Sequence, residues 1–393
     1  GDVYKRQPYH GAAYAVVDAA AKVVAAGARY DKMRYSYQEY FERMTKSPRT
    51  WGKPLGALLG ALKMQVELGL PSIGGKDSMS GTFEQINVPP MLMAFGITTV
   101  DAGRVISTDF KKAGHSIYLV RHTPLENHMP DTGALKRNFD FVSSAIESGK
   151  IVSGYAVGFG GVAEALAKMS FGNGIGADVK VDEATLFDNS YGSIVVESTE
   201  PLDFPAAELL GHTEAEGALT INGEKMPLEE LYRANTERFA TVYPDKGINH
   251  APVMEAMPAP RSFTYPGEAV ERPEVFIPVF PGSNCDYDTA KAFRRAGAEV
   301  RSEVFCNLTA EAIFDSIRRM KEAIAACHIF VLCGGFSAGD EPDGSGKFIA
   351  NVLNNKDISE EIHRLLDRGG LILGICNGFQ AVSYTHLTLP TIY

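Results

Sequence analysis

The chain has 393 residues, 45% of them hydrophobic, and its 38 Lys and Arg against 48 Asp and Glu give a net charge of −10. At about 100–200 residues per domain that length excludes a single compact core, and the acidic balance excludes the broad phosphate-neutralising face of a nucleic-acid binder. No apolar run reaches the ~18 residues of a membrane-spanning helix, and the cysteines (Cys285, Cys306, Cys327, Cys333 and Cys376) form no C-x-x-C pair and follow no signal-peptide h-region, so no membrane partner and a reducing cytoplasm are expected.

Residues 1–7 (GDVYKRQ) and 382–393 (VSYTHLTLPTIY) resemble translated adapter sequence and are set aside as foreign to the fold, with the natural protein expected to continue past both. From Tyr9 to Met64 the pattern is mostly helical, with Ala-rich AAYAVVDAAAKVVAAGA and then PLGALLGALKMQVELGL ahead of Gly69 and Pro71. PPMLMAFGITTVD and HSIYLVRH read as short buried strands, GVAEALAKMSF (161–171) as an amphipathic helix and YGSIVVEST as a strand. These predict an α+β region in two parts, 8–110 and 111–243. A Pro-, Ala- and Gly-rich linker follows over 244–273. Beyond it VFIPVF, DTAKAFRRAG, EVRSEVF, AEAIFDSIRRM, HIFVLCGG and LILGIC alternate strand with helix. That rhythm predicts a doubly wound α/β domain over 274–381, with ligands at the carboxyl ends of its strands.

The sharpest motif is LILGICNGFQA, Leu371 to Ala381, where an apolar strand runs into Gly374, Ile375, Cys376, Asn377 and Gly378. Small residues on both sides permit the strained strand-to-helix turn of a nucleophile elbow, and the helix that follows favours a thiolate through its N–H groups and dipole. A buried structural cysteine is the alternative, but such a cysteine has no need of glycines around it. A second glycine-rich turn, CGGFSAGDEPDGSGK from Cys333, offers the backbone amides of Gly334, Gly335 and Phe336 as an oxyanion hole, with an ordinary βα turn as its alternative. Upstream, PSIGGKDSMSGTF places Lys76, Asp77 and Ser78 as candidate phosphate contacts or a solvated polar turn. Leu70 and Asp77 rule out a P-loop. Gly158, Gly160 and Ala163 match G-x-G-x-x-A only weakly, without a βαβ frame.

GGFSAGD followed by GICNGFQ, with VFPGSNCDYDTAKAFRRAGAEV at the domain start, closely resembles the class I glutamine amidotransferase domain of the phosphoribosylformylglycinamidine synthase family. GKDSMS resembles a stretch in the second synthetase-like half of the same family. The resemblance implies an aminoimidazole-ribonucleotide-synthetase-like α+β half followed by a truncated, flavodoxin-like doubly wound glutaminase domain. It implies a Cys-His-Glu triad with Cys376 as nucleophile, Gln380 among the substrate contacts, and a His and Glu beyond the end of this chain; His386 is not given the role. The implied reaction joins ammonia from glutamine to formylglycinamide ribonucleotide with ATP and Mg²⁺. The direct fusion of the two parts implies the large single-chain form, whose amino-terminal half is then the missing partner. In the family, a Glu and an Asn on the first helix and an Asp and a Ser near 156–158 hold metal and nucleotide. Here Asp18, Lys22, Ala156 and Gly158 stand there, so no metal is expected in this half and Asp18 is at most a remnant. Two rivals remain: an inert structural half, and a different amidotransferase with the same elbow. No synthase turnover is expected of this chain alone.

Overall fold

The computed structural model describes residues 8–79, 81–243, 270–335 and 346–386, with the chain dividing into two compact units, Gly1–His250 and Ala251–Tyr393. In the first, α1 (Tyr9–Ala25) buries Ala13, Val16, Val17, Ala20 and Val24, small residues that let neighbouring backbones approach. The second helix, α2 (Pro48–Leu68), starts where the Ser47 side chain accepts from Arg49 N–H and stops at Gly69, whose left-handed φ of 76° favours a residue without Cβ. The two cross so closely that a Cβ on Gly60 would lie 2.1 Å from the Tyr9 carbonyl.

Between these helices lies a strand that the helical reading of 9–64 missed, β1 (Arg34–Tyr40), whose YSYQEY alternation is a strand signal. It is the centre of a three-stranded sheet, parallel to β2 (Ser72–Ser78) and antiparallel to β5 (Met91–Ile97); β3 (Thr82–Phe83) and β4 (Ile86–Asn87) form a small hairpin between them. β5 is not the buried strand expected: Met91, Phe95 and Ile97 are exposed, because only one face of this sheet is covered by helix.

The rest of the unit is a seven-stranded sheet in the order β12-β11-β8-β10-β6-β9-β7. Along the chain its parts are β6 (Ser116–Val120), α3 (Thr132–Glu147), β7 (Ile151–Ala156), α4 (Gly161–Phe171), β8 (Gly176–Val179), α5 (Glu183–Phe187), β9 (Ile194–Ser198), β10 (Ala207–Glu214), β11 (Ala218–Ile221), β12 (Glu224–Pro227) and α6 (Leu228–Glu237). Its middle strands β6 and β9 carry apolar side chains on both faces: Tyr118, Val120 and Val196 join the core under α1 and α3, while Ile117, Leu119 and Val195 join the core under α4.

The second unit contains β13 (Glu274–Val279), α7 (Asp286–Arg295), β14 (Glu299–Val304), α8 (Ala310–Ala326), β15 (Ile329–Leu332), α9 (Lys347–Leu353), α10 (Lys356–Asp367), β16 (Leu371–Gly374) and α11 (Asn377–His386). Its four strands are all parallel, in the order β14-β13-β15-β16. Phe276, Phe330 and Leu332 pack on one face against α8, α9 and α10, and Val275, Ile277, Val331 and Cys333 on the other against α7. The sheet is therefore wound on both sides, as the alternation of strands and helices predicts. α11 carries the fold past residue 381, with Val382 packed on the core. Strand order reverses between β13 and β15, whose ladder joins only Val275–Ile329 and Phe276–Phe330, and Pro278 has no N–H to extend it. Such a switch point opens a crevice at the carboxyl ends of the strands.

Candidate functional site

The turn after β16 stands at that carboxyl end. Ile375 N–H donates to Leu332 O at 3.0 Å, holding the turn to the tip of β15, and Gly378 N–H donates to Ile375 O at 2.9 Å. Cys376 lies between them with φ of 52°, a conformation that costs a residue with a Cβ about 1–2 kcal/mol, and its side chain is exposed. The flanking glycines are required by contact. A Cβ on Gly374 would sit 2.7 Å from Gly378 O, and one on Gly378 would sit 2.1 Å from Leu332 O. Close approach of α11 to the strand tips is what presents the cysteine.

The second glycine turn meets the first. A Cβ on Gly334 would fall 3.2 Å from Cys376 Cβ and 3.9 Å from its Sγ, so only a glycine backbone stands next to the sulfur. Gly335, with φ of 140°, bridges to Ser283, and a Cβ there would come within 2.3 Å of Gly282 O. Asn284 N–H donates to Gly334 O at 2.8 Å. The PGSN turn after β13 thus braces the glycine turn after β15, a role hidden in the sequence because it depends on the strand order. Phe336, the third expected oxyanion donor, lies outside the described residues.

Gln380 is on α11, one turn from Cys376: its N–H donates to Cys376 O at 3.1 Å and its side-chain oxygen accepts from Asn377 Nδ2 at 3.4 Å. Asn377 was not singled out among the donors by sequence, although it directly follows Cys376 and opens the helix, the position from which an elbow aims a backbone N–H. The other cysteines of this sheet suit structure better than chemistry. Burial pushes the Cys327 thiol up to about 11, and burial also raises Cys333. A cavity of about 550 Å³ lies at the opposite, amino end of β15 and β16, lined by Cys327, His328, Arg368 and Leu371 among others. Arg368 is held there by the carbonyls of Ile324 (2.6 Å) and Cys327 (3.0 Å), so its guanidinium serves the fold.

In the first unit, Lys76, Asp77 and Ser78 lie on an edge strand, β2, and not in the polar turn that is the alternative reading; Lys76 and Asp77 are exposed. At the metal position suggested by the resemblance, Lys22 Nζ sits 2.7 Å from Asp18 Oδ2, while Asp18 Oδ1 is buried with no hydrogen-bond partner. Ala156 and Gly158 add no ligand, and among the described residues no group of three or more His, Cys, Asp or Glu is placed to hold a metal ion. These residues do not fit magnesium: the lysine already supplies the positive charge. The G-x-G-x-x-A stretch does join strand β7 to helix α4, but β7 is an edge strand paired antiparallel with β9, which is not the parallel frame of a dinucleotide site.

Residues 272–392 match the model of the CobB/CobQ-like glutamine amidotransferase domain family. Among curated proteins the chain is similar to the PurQ subunit of phosphoribosylformylglycinamidine synthase from Dehalococcoides mccartyi, 39% identical over 105 residues, which are 27% of this chain and 37% of that one. The PurQ subunit from Methanococcus maripaludis is 37% identical over 111 residues, 28% of this chain and 37% of its own. The chain therefore spans under two fifths of the length of these relatives. Among solved structures, Thermotoga maritima PurL complexed with ATP aligns with a TM-score of 0.46 at 15% identity, covering 74% of this chain and 48% of that chain.

Proposed function

We propose that the second unit is the glutaminase part of a phosphoribosylformylglycinamidine synthase of the large single-chain form, with Cys376 as its nucleophile. One observation carries the reading: Cys376 sits exposed at positive φ between two glycines, Gly374 and Gly378, that neighbouring backbone requires, with Gly334 against its Cβ; Cys285, also exposed and at positive φ, has no such pair around it. Cys376 Sγ adds to the carboxamide carbon of glutamine. The oxygen that becomes negative is received by backbone N–H groups of Gly334, Gly335 and Asn377, the C–N bond breaks and ammonia leaves. Water then releases glutamate from the thioester. The base and acid that move the protons are the family's His and Glu, assigned here to no residue of this chain, and the ammonia goes to formylglycinamide ribonucleotide. Similarity of residues 272–392 to a glutamine amidotransferase family and to PurQ subunits supports this reading.

For the first unit the proposal is a synthetase-like half whose own nucleotide pocket is inert. Lys22 on Asp18 supports this, and it leaves ATP and Mg²⁺ chemistry to the amino-terminal half of the family's large form. Tyr40, Met91, Phe95 and Ile97, exposed on the uncovered face of the three-stranded sheet, offer that half an apolar surface. The test is labelling by an electrophilic ketone analogue of glutamine, comparing this chain, a version extended through the family's carboxyl end, and Cys376→Ala in both. Labelling of the extended chain only, and only with Cys376 present, is the expected result. An extended chain that resists labelling makes the elbow structural and overturns the reading.

A further inference from the structure

The covered face of the three-stranded sheet contains an acid that neither the glutaminase reading nor the inert-pocket reading uses. Glu39 lies on the central strand β1, on the same face as Tyr35 and Tyr37, and only 5% of it is exposed. One of its carboxylate oxygens, Oε1, is buried without any hydrogen-bond partner. Leaving a charged oxygen unmatched in such a place is among the more expensive arrangements in a protein interior.

Its neighbour makes the arrangement worse. Across the parallel ladder, Glu39 is in register with Asp77 of β2, so the two side chains leave the same face on strands about 4.8 Å apart. Burial and, after it, the charge of Asp77 both push the Glu39 carboxyl above its ordinary range. Lys76, one residue away, leaves the opposite face, opposite Gln38. Gly75, in register with Tyr37 on the same face as the pair, has no side chain to crowd it, and Asp77 at the exposed edge gives an open route in from solvent.

We propose that Glu39 and Asp77 together seat a divalent cation of the hard, oxygen-preferring class, bound by Glu39 Oε1 from the buried side and by the Asp77 carboxylate from the edge. Two carboxylates completed by water suit Mg²⁺, Mn²⁺ or Ca²⁺, and one such ion would partner the orphaned oxygen and cancel the like-charge contact together. Its ligands are not those of the Asp18 position, where a lysine already stands, and the proposal does not depend on the glutaminase reading.

The probe is Mn²⁺ alone, titrated into the full chain after chelator treatment, with free Mn²⁺ followed by electron paramagnetic resonance and the thermal midpoint of the first unit followed in parallel. Stoichiometric Mn²⁺ binding that raises the midpoint is expected. Glu39→Gln and Asp77→Asn should each weaken it by roughly tenfold or more, since even residues behind the ligands of a metal site are worth 10–100-fold. Without metal, Glu39→Gln should melt above the wild type, because it removes the repulsion; with Mn²⁺ the order should reverse. Should Glu39→Gln fail to fold, Asp77→Asn, at an exposed edge, decides alone. Absence of Mn²⁺ binding means that the pair holds a proton and overturns the proposal, as does wild-type affinity in either folded variant.

Discussion

The corner after β7 and the corner after β16 both lead a strand through glycines into a helix, and both place one residue at positive φ. After β7 that residue is Gly161, at 68°, where a Cβ would stand 2.6 Å from Leu186 O. The acid beside it, Glu164, accepts from Gly160 N–H at 2.9 Å and pairs with Lys168, so its carboxylate holds the corner shut. After β16 the positive-φ residue is a cysteine with its side chain in the open. Glycine tolerates that backbone without strain; a cysteine does not. Where a chain uses glycine for packing on both sides of a turn and still keeps a strained side chain in the middle, the side chain is the reason for the turn. The first corner needs its glycine to pack, and the second needs its glycines to expose something.

The sharpest way to break this comparison is Gly378→Ala. The obstructing atom is a backbone carbonyl, Leu332 O at 2.1 Å, so α11 must move away from β15. We expect the second unit to lose roughly 3 kcal/mol or more in urea unfolding, and the extended chain to lose analogue labelling. Wild-type stability in that variant would mean that helix and strand tip are not held together as described. Gly161→Ala comes next: positive φ and the Leu186 carbonyl together should cost the first unit roughly 2–4 kcal/mol, yet leave Cys376 labelling in the extended chain unchanged. Equal loss of labelling in both variants would erase the distinction between the corners. Cys376→Gly should act in the opposite direction, abolishing labelling while stabilising the second unit by ~1 kcal/mol, the left-handed penalty less the chain entropy that glycine loses. A destabilised Cys376→Gly would show that the cysteine is there to pack.

Much of the second unit was legible because its signals are local. Strands and helices alternate in sequence as they do in space, and the glycines around Cys376 are required by neighbours within four residues or by the adjacent strand. The brace from Ser283 and Asn284 to Gly335 and Gly334 was not legible, since it exists only once β13 and β15 are adjacent. In the first unit β1 was lost between two strongly helical segments, though Tyr35, Tyr37 and Glu39 alternate with Ser36, Gln38 and Tyr40. β2 was unreadable for another reason: SIGGKDS has little intrinsic preference for a strand, and pairing with β1 decides its conformation. The exposure of Met91, Phe95 and Ile97 depends on how many faces of a sheet are covered, which composition does not encode.

The smallest effect distinguishes the units by pH. His122, 2% exposed at the end of β6, has its Nδ1 at 2.9 Å from Tyr191 O and its Nε2 accepting from Asp131 N–H at 3.1 Å, which fixes a neutral ring. Burial lowers its pKa below the ordinary 6.5, against the opposing pull of the Tyr191 carbonyl and Asp131. With the folded value lowered, the unfolded chain binds the proton first as pH falls. The neutral ring's contribution is therefore intact above about 6.5, declines as pH drops below it, and stops declining once the folded ring also protonates. The urea midpoint of the first unit should fall between pH 7.5 and pH 5.5, and His122→Gln, whatever its absolute stability, should flatten that dependence. An unchanged slope in the variant would place the acid sensitivity of this unit elsewhere.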